Sequence, residues 1–491
     1  MEATVQEIVS WDAAELSRAI AGRRVSCVEV MEAYLAHIGA INPHVGAIVG
    51  QQDPEISLRQ ARERDEQLSR GEHLGWMHGF PHAVKDLTEA EGLPWTEGSP
   101  LYANRVGQQD ALIVQRLKAA GAVVIGKTNT PEFGLGSQTY NEVWGTTGNA
   151  HDPARTAGGS SGGAASALAL RMLPVADGSD YMGSLRNPAA FNNVLGMRPS
   201  WGLVPAPGFT AQLSTAGPMA RTTADLAALL SVMAGPHMSA PLAATEPGGR
   251  FEEGLEGGSG GRSSSGGRSG GGFRGVRIAW AGDWGGHLAT DPGVLEVCRR
   301  SLTVFESLGC EVAEARPDFP PEELWRTFLT WRGWANLERH ELYADPDARA
   351  RMKPEAVWEI ERGLTLSALD VAAAAAARER WYAALTDFFS EYDYVLAPAA
   401  QVFPFAKETH WPDRVGGRRM DTYHRWMETV VPWTLAGVPV IGMPAGFGED
   451  GLPMGVQLVG RHRDDAGLLR LAHAYERETG WVERVKPALL G

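Results

Sequence analysis

The sequence predicts an α/β fold built on a large central mixed β-sheet covered by helices on both faces. Three observations carry that expectation. Stretches with helical periodicity alternate with short apolar runs such as GAVVIGKTN at 121–129 and YVLAP at 394–398, a pattern that favours a parallel or mixed sheet under helices. The 491 residues, 44% of them hydrophobic, suffice for one large core, and a single α/β domain can absorb that length. No internal repeat divides the chain, so 1–491 is expected to be one domain.

The elements follow in order. Asp12 with Glu15, and Ser26 with Glu29, have the spacing of a capping box, an acceptor answered by an acid three positions on. After Ser26, Val28, Met31, Leu35 and Ile38 recur at helical spacing and should bury one face. Asp110 to Ala120 reads as a helix with Ala111, Val114 and Leu117 along one side, leading into the strand within 121–129. AASALALR at 164–171 is a compact small-residue helix, and RTTADLAALLSVMAG is another. The strand VRIAW at 276–280 precedes helices at 292–307 and 364–389; MGVQLVG at 454–460 is the last strand, and a helix at 465–478 closes the chain. The segment 257–272 contains only Gly, Ser and Arg and cannot build a core. It marks either a domain boundary or a disordered insertion, and the core-like strand at 276–280 favours the insertion.

Composition narrows the function. With 45 basic against 59 acidic residues and a net charge of -14, neither nucleic acid nor an anionic membrane is an expected partner. The opening MEATVQEIVSWDAAEL has no basic and apolar leader pattern, and the apolar runs are too short to span a bilayer. A cytoplasmic location is therefore expected. Cys27, Cys298 and Cys310 are widely spaced and read as reduced, buried residues rather than a disulfide framework. The histidines, His78 and His82 among them, show neither HExxH spacing nor a Cys/His cluster, so no metal and no cofactor are expected. Eight tryptophans (Trp325, Trp331, Trp334, Trp358, Trp381, Trp411, Trp426 and Trp433) crowd the second half. They read as packing residues or, for a few, as walls of a wide apolar pocket.

Chemistry is concentrated in three segments: PHAVKDL around Lys85, GGSSGG at 158–163 and SDYMGSLRNPAA at 179–190. A serine hydroxyl needs a base to attack at neutral pH, and a lysine can serve only where burial or a nearby cation keeps it neutral. Lys85 follows the apolar pair Ala83–Val84 at the end of an expected strand, which suits a buried amine; by itself it could equally be a surface lysine. The glycines flanking Ser160 and Ser161 allow close backbone approach, and their N–H groups could hold an oxyanion. Taken alone, GGSSGG could also be a flexible loop or a phosphate cradle, although no Walker-type GKS or GKT follows it. No GxSxG elbow surrounds Ser184.

These segments, with TAGGSSGGAASALAL at 156–170, SDYMGSLRNPAAFNNVLGMRPS at 179–200, WTLAGVPVIGMPAG at 433–446 and GLPMGVQLVG at 451–460, closely resemble the amidase signature family. The likeness spans most of the chain and is weakest over 311–420, which is expected to supply a helical cap or pocket wall. The resemblance implies a Ser–cis-Ser–Lys triad. Ser184 matches the nucleophile, Ser160 the relay serine on a cis peptide, and Lys85 the base. It implies an oxyanion hole from the backbone N–H groups of Tyr181, Met182, Gly183 and Ser184. Asp180 and Arg186, with Gly158, Gly159, Ser161 and Gly162, are expected to organise the loops. Met182 stands where the family commonly has glycine, and the bulk of Tyr181 and Met182 should reshape the pocket. The expected activity is hydrolysis of a small-molecule amide, aryl or bulky and apolar. Carbamate (urethane) or ester hydrolysis, the glutaminase component of a tRNA-dependent amidotransferase, and a non-catalytic binding relative are the alternatives. A homodimer is compatible with the chain, but a dimer patch reads no differently from buried surface.

Overall fold

The computed structural model describes residues 4–208, 213–245, 249, 251–255 and 272–491. The expected insertion at 257–272 lies, apart from Gly272, outside the described residues. Fifteen strands are described. β1 (Ile48–Val49), β2 (Pro81–Lys85) and β3 (Val123–Thr128) form a small sheet in the order β1-β3-β2, with β2 parallel to β3. The hairpin of β4 (Tyr140–Asn141) and β5 (Gly145–Thr146) follows. The central sheet takes β6 (Ala176–Asp180), β7 (Leu195–Arg198), β8 (Thr215–Ala220), β9 (Arg277–Trp280), β10 (Glu311–Glu314) and β11 (Tyr394–Pro398). After a second hairpin, β12 (Arg414–Val415) with β13 (Arg418–Arg419), it is completed by β14 (Val440–Phe447) and β15 (Pro453–Val459). Its order is β10-β9-β11-β15-β14-β7-β8-β6. The β10–β9 and β9–β11 pairs are parallel and the rest antiparallel, so the sheet is mixed as the sequence predicts.

Helices flank the sheet because their apolar stripes need cover. Gly162–Ala169 and Arg186–Phe191 are buried along their whole length, a fit that the small residues of the first permit. Thr223–Met233, Val294–Ser307 and Asp465–Thr479 pack together and onto the strands. The capping box at Ser26 and Glu29 forms completely and starts the helix Cys27–Val45. At Asp12 only half the motif forms: the carboxylate accepts from Glu15 N–H at 2.6 Å, while the Glu15 side chain turns to Arg18 and Arg24. The buried face of Cys27–Val45 centres on Val30, Met31, Tyr34 and Ile38, leaving Val28 and Leu35 at its margin.

The expected helix at 364–389 is Ala368–Glu391, and Leu364 instead ends the preceding helix, Pro354–Leu364. Ser367 starts the later helix through a capping box with Asp370. The segment 311–420 holds several helices but also β10 and β11, so part of it belongs to the sheet. Trp325, Trp381, Trp426 and Trp433 are buried, while Trp331, Trp334, Trp358 and Trp411 are partly exposed. All three cysteines are free and buried. No helix among the described residues is long and apolar enough to cross a membrane.

β2 lies beside β6, joining the small sheet to the edge of the large one. That junction brings together the end of β2 at Lys85, the end of β6 at Asp180, and the starts of the helices after Ser161 and Ser184.

Candidate active site

Lys85 is the last residue of β2, a strand buried at every position, and its side chain is 1% exposed. Its Nζ lies 2.8 Å from Ser160 Oγ, 2.9 Å from Ser161 Oγ and 3.1 Å from Ser179 Oγ, with the Ser179 carbonyl at 3.4 Å. Burial pushes the amine down to about 7, against the opposing charges of Asp177 and Asp180. The amine can therefore give up its proton near neutral pH and accept one from a bonded hydroxyl.

Ser160 follows a cis Gly159–Ser160 peptide. The N–H groups of the surrounding glycines are held from neighbouring segments. Gly158 donates to Thr156 Oγ1 at 3.0 Å, Gly159 to Asn187 Oδ1 at 3.2 Å, and Gly162 to Thr139 Oγ1 at 3.1 Å. Gly158 has φ +73°, and a Cβ there would stand 2.5 Å from Asn187 Oδ1, so its lack of a side chain has two causes. Ser161 does more than support the loop as expected: its Oγ bonds Lys85 directly, and its N–H donates to the Ser184 carbonyl at 3.3 Å.

The Ser184 loop is held by buried ion pairs that Asp180 makes with Arg186 and, more distantly, Arg198. Asp180 accepts from the N–H groups of Gly183 (2.8 Å) and Leu185 (3.1 Å) and from Arg186 Nε (3.0 Å) and Nη2 (2.9 Å). Arg186 places its remaining donors on Gln457 Oε1, the Val430 carbonyl and Thr434 Oγ1. Burial would raise the Asp180 carboxyl, but Arg186, and then Arg198, overcome it and hold the group well below the usual carboxylate range. The charges are thus paired and fully hydrogen-bonded, the condition under which such a pair can persist in the interior.

Of the four N–H groups expected in the oxyanion hole, that of Gly183 is taken by Asp180. This corrects the expectation for Gly183, because a donor spent on a buried carboxylate is not aimed at a substrate. The N–H groups of Tyr181, Met182 and Ser184 make no hydrogen bond among the described residues. Gly183 has φ +80°, and a Cβ there would meet Val430 and Met427 at 3.0–3.1 Å. Met182 has no positive φ, so the missing family glycine costs no backbone strain, and its side chain joins the core at 4% exposure. Ser184 is 5% exposed, and its Oγ forms no hydrogen bond among the described residues, to Ser160 or to any other group.

One wall of the site rises from the helix Pro321–Asn336. Phe328 meets the Tyr181 ring edge-on at 6.1 Å, the Tyr181 hydroxyl donates to the Trp331 carbonyl at 3.5 Å, and Arg332 lies 5.3 Å over the same ring. Arg332 is set in turn by Glu359 and by Tyr423 Oη at 2.7 Å. His424 is buried among Trp325, Phe328, Trp358 and Tyr423. Burial and the nearby arginines hold it well below the ordinary histidine range, so it is neutral.

Sequence reasoning missed Asp177, Ser179, Asn187 and Gln457 as parts of this site. The strand period of two places 177 and 179 on one face of β6, and that was the available signal for the first two. Among the described residues no group of His, Cys, Asp and Glu could hold a metal ion.

The family profile described as Amidase matches residues 29–469. The chain is 34% identical over 492 residues to an acylamidase of Rhodococcus erythropolis, covering 99% of this chain and 98% of that one. It is 33% identical over 504 residues to a glutamyl-tRNA(Gln) amidotransferase subunit of Ralstonia nicotianae, covering 96% and 98%. The crystal structure of a bacterial aryl acylamidase of the amidase signature family superposes with a TM-score of 0.86 at 23% identity, covering 96% of this chain and 98% of that one.

Proposed function

The chain belongs to the amidase signature family and is a serine-hydrolase amidase, and from that premise we propose that it cleaves aryl or bulky apolar carboxylic amides through an acyl-enzyme on Ser184. The observation that carries this reading is the buried Lys85 amine, brought to about 7 and bonded at 2.8 Å to Ser160 Oγ. Neutral Lys85 draws the proton of Ser160 as Ser160 draws that of Ser184, and Ser184 Oγ attacks the carbonyl carbon. The Ser160–Ser184 hydrogen bond closes when substrate binds, as catalytic hydrogen bonds commonly tighten in the Michaelis complex. Charge growing on the carbonyl oxygen is received by the N–H groups of Tyr181, Met182 and Ser184, donors of a kind worth roughly 3–4 kcal/mol each. The relay returns a proton to the leaving amine, and water then attacks the acyl-enzyme by the same path.

The preference for bulk is supported by the aromatic wall of Tyr181 and Phe328. It is also supported by likeness to proteins named acylamidase and aryl acylamidase. An aryl carbamate or ester presents a comparable carbonyl to the same groups and is the near variant of this reading. Likeness to an amidotransferase component favours a second reading, release of ammonia from glutamine for a partner.

The test is kcat/KM on one acyl group presented as primary amide, anilide, aryl carbamate and aryl ester, beside free glutamine. Turnover of the anilide or carbamate, lost in Ser184→Ala, is expected. Turnover of glutamine alone, or none until partner subunits are added, would transfer the conclusion to the amidotransferase reading. A Ser184→Ala variant with native turnover would remove the assigned nucleophile.

A further inference from the structure

Behind Lys85 lies a buried pair that the hydrolytic steps do not use. His82 on β2 is fully buried, and its Nε2 is 3.0 Å from Asp177 Oδ1 on β6. The second oxygen of Asp177 faces the Lys85 backbone N–H at 3.4 Å, and the residue is 1% exposed. Asp177 therefore touches both ends of a four-residue span of β2 that ends in the base. β2 and β6 share no ladder, so these contacts, with those of Lys85 Nζ to Ser179, are polar links across the junction of the two sheets. His82 Nδ1 has no partner. A proton there would be a buried donor without an acceptor, so the ring sits as the Nε2–H tautomer and donates to Asp177.

We infer that Asp177, clamped by His82, is a positioning residue for this hydrolase: it fixes the base strand against the nucleophile strand and stations one negative charge behind Lys85. The inference rests on Lys85 being the base. The other charged groups around the pair are few. β3 contributes Lys127, and β6 contributes Asp180, which Arg186 and Arg198 hold. The neighbouring strand β8 and the helix Gly162–Ala169 carry no ionisable side chain. The helix Cys27–Val45, also packed on β2, contributes the Cys27 thiol and His37, which is bonded to the Leu170 carbonyl at 2.8 Å. Burial and the Asp177 charge act on Lys85 in opposite senses: burial favours the neutral amine and Asp177 the ammonium. Asp177 thus keeps the Lys85 amine more basic than burial alone would leave it.

The experiment follows the second-order rate of inactivation by phenylmethanesulfonyl fluoride between about pH 5 and about pH 9, a reaction that needs an activated serine but no knowledge of the substrate. In Asp177→Asn the acid limb should move to lower pH by roughly one unit. His82→Leu removes the donor that holds the carboxylate in place behind Lys85, so the limb should move the same way. His82→Gln, which restores an N–H donor, should return the limb to its native position. Thermal melts identify variants that do not fold, and if Asp177→Asn is one of them, the contrast between His82→Leu and His82→Gln decides. A limb that stays in place in Asp177→Asn and His82→Leu, or moves upward, overturns the inference and leaves a structural clamp. Lys85→Ala separates the two levels: if it is inactivated as fast as the native protein, Lys85 is not the base and the functional reading itself falls.

Discussion

The floor of the site and its wall are built on opposite terms. On the floor the chain around Ser160 and Ser184 is small and glycine-rich, and its charges are enclosed by hydrogen bonds. Asp180 accepts four of them, and Arg186 places donors on Asp180, Val430, Gln457 and Thr434. On the wall, Trp325, Phe328, Trp358 and His424 meet through ring contacts, and several buried polar atoms have no partner. Trp325 Nε1, Trp331 Nε1, Glu359 Oε2 and both nitrogens of His424 are among them. The Asp180–Arg186 pair, with every donor of the arginine bonded, admits one arrangement. An aromatic wall with idle donors and acceptors can meet varied ligands. The contrast assigns chemistry to the floor and selection to the wall.

The contrast can be broken or sharpened in three places. The largest effect is expected at the base. Lys85→Ala should lower kcat/KM roughly a thousandfold, within the usual span for removing a general base. In the native enzyme kcat/KM should rise with pH through about 7, since Lys85 accepts a proton only when neutral and its amine titrates there; below that point each unit should cost about tenfold. A pH–rate profile of native and variant enzyme checks both statements, and a limb surviving in Lys85→Ala would assign it to another group.

Next comes the ion pair under the nucleophile loop. Arg186→Leu strands the Asp180 charge in the interior and should destabilise the fold by about 3–5 kcal/mol, read as a lowered denaturation midpoint. A variant as stable as the native protein would mean the floor is less closed than its hydrogen bonds suggest. The smallest effect is expected on the wall. Phe328→Ala should raise KM for a bulky anilide roughly tenfold, the equivalent of about 1.4 kcal/mol, while kcat/KM for a small primary amide stays near native. Equal losses on both substrates would show that the wall also serves the chemistry.

Much of this was legible in the chain. The capping box at Ser26 and Glu29, the strand at 123–128 and the small-residue helix after Ser161 form as their local patterns require, because propensity and capping act over a few residues. Lys85, Ser160, Ser161, Asp180 and Arg186 were named from motifs, and the structure brings them together. The start expected at 364 falls four residues before the true one at Ala368, because a serine cap reads as an ordinary helix residue until its partner Asp370 is noticed. Gly183 was misassigned because spacing does not reveal which acceptor a backbone N–H has found.

By itself the sequence determined the α/β alternation, the family likeness and the residue types that could act, since these rest on patterns repeated within a few positions. The folded chain alone decided that Asp177 meets His82 from 95 residues away, that Ser161 N–H reaches the Ser184 carbonyl, and that Phe328 and Met427 stand over the loop at 181–183. Such contacts depend on how sheets and helices stack. Many distant partners satisfy the same apolar surface or the same donor equally well until packing selects one.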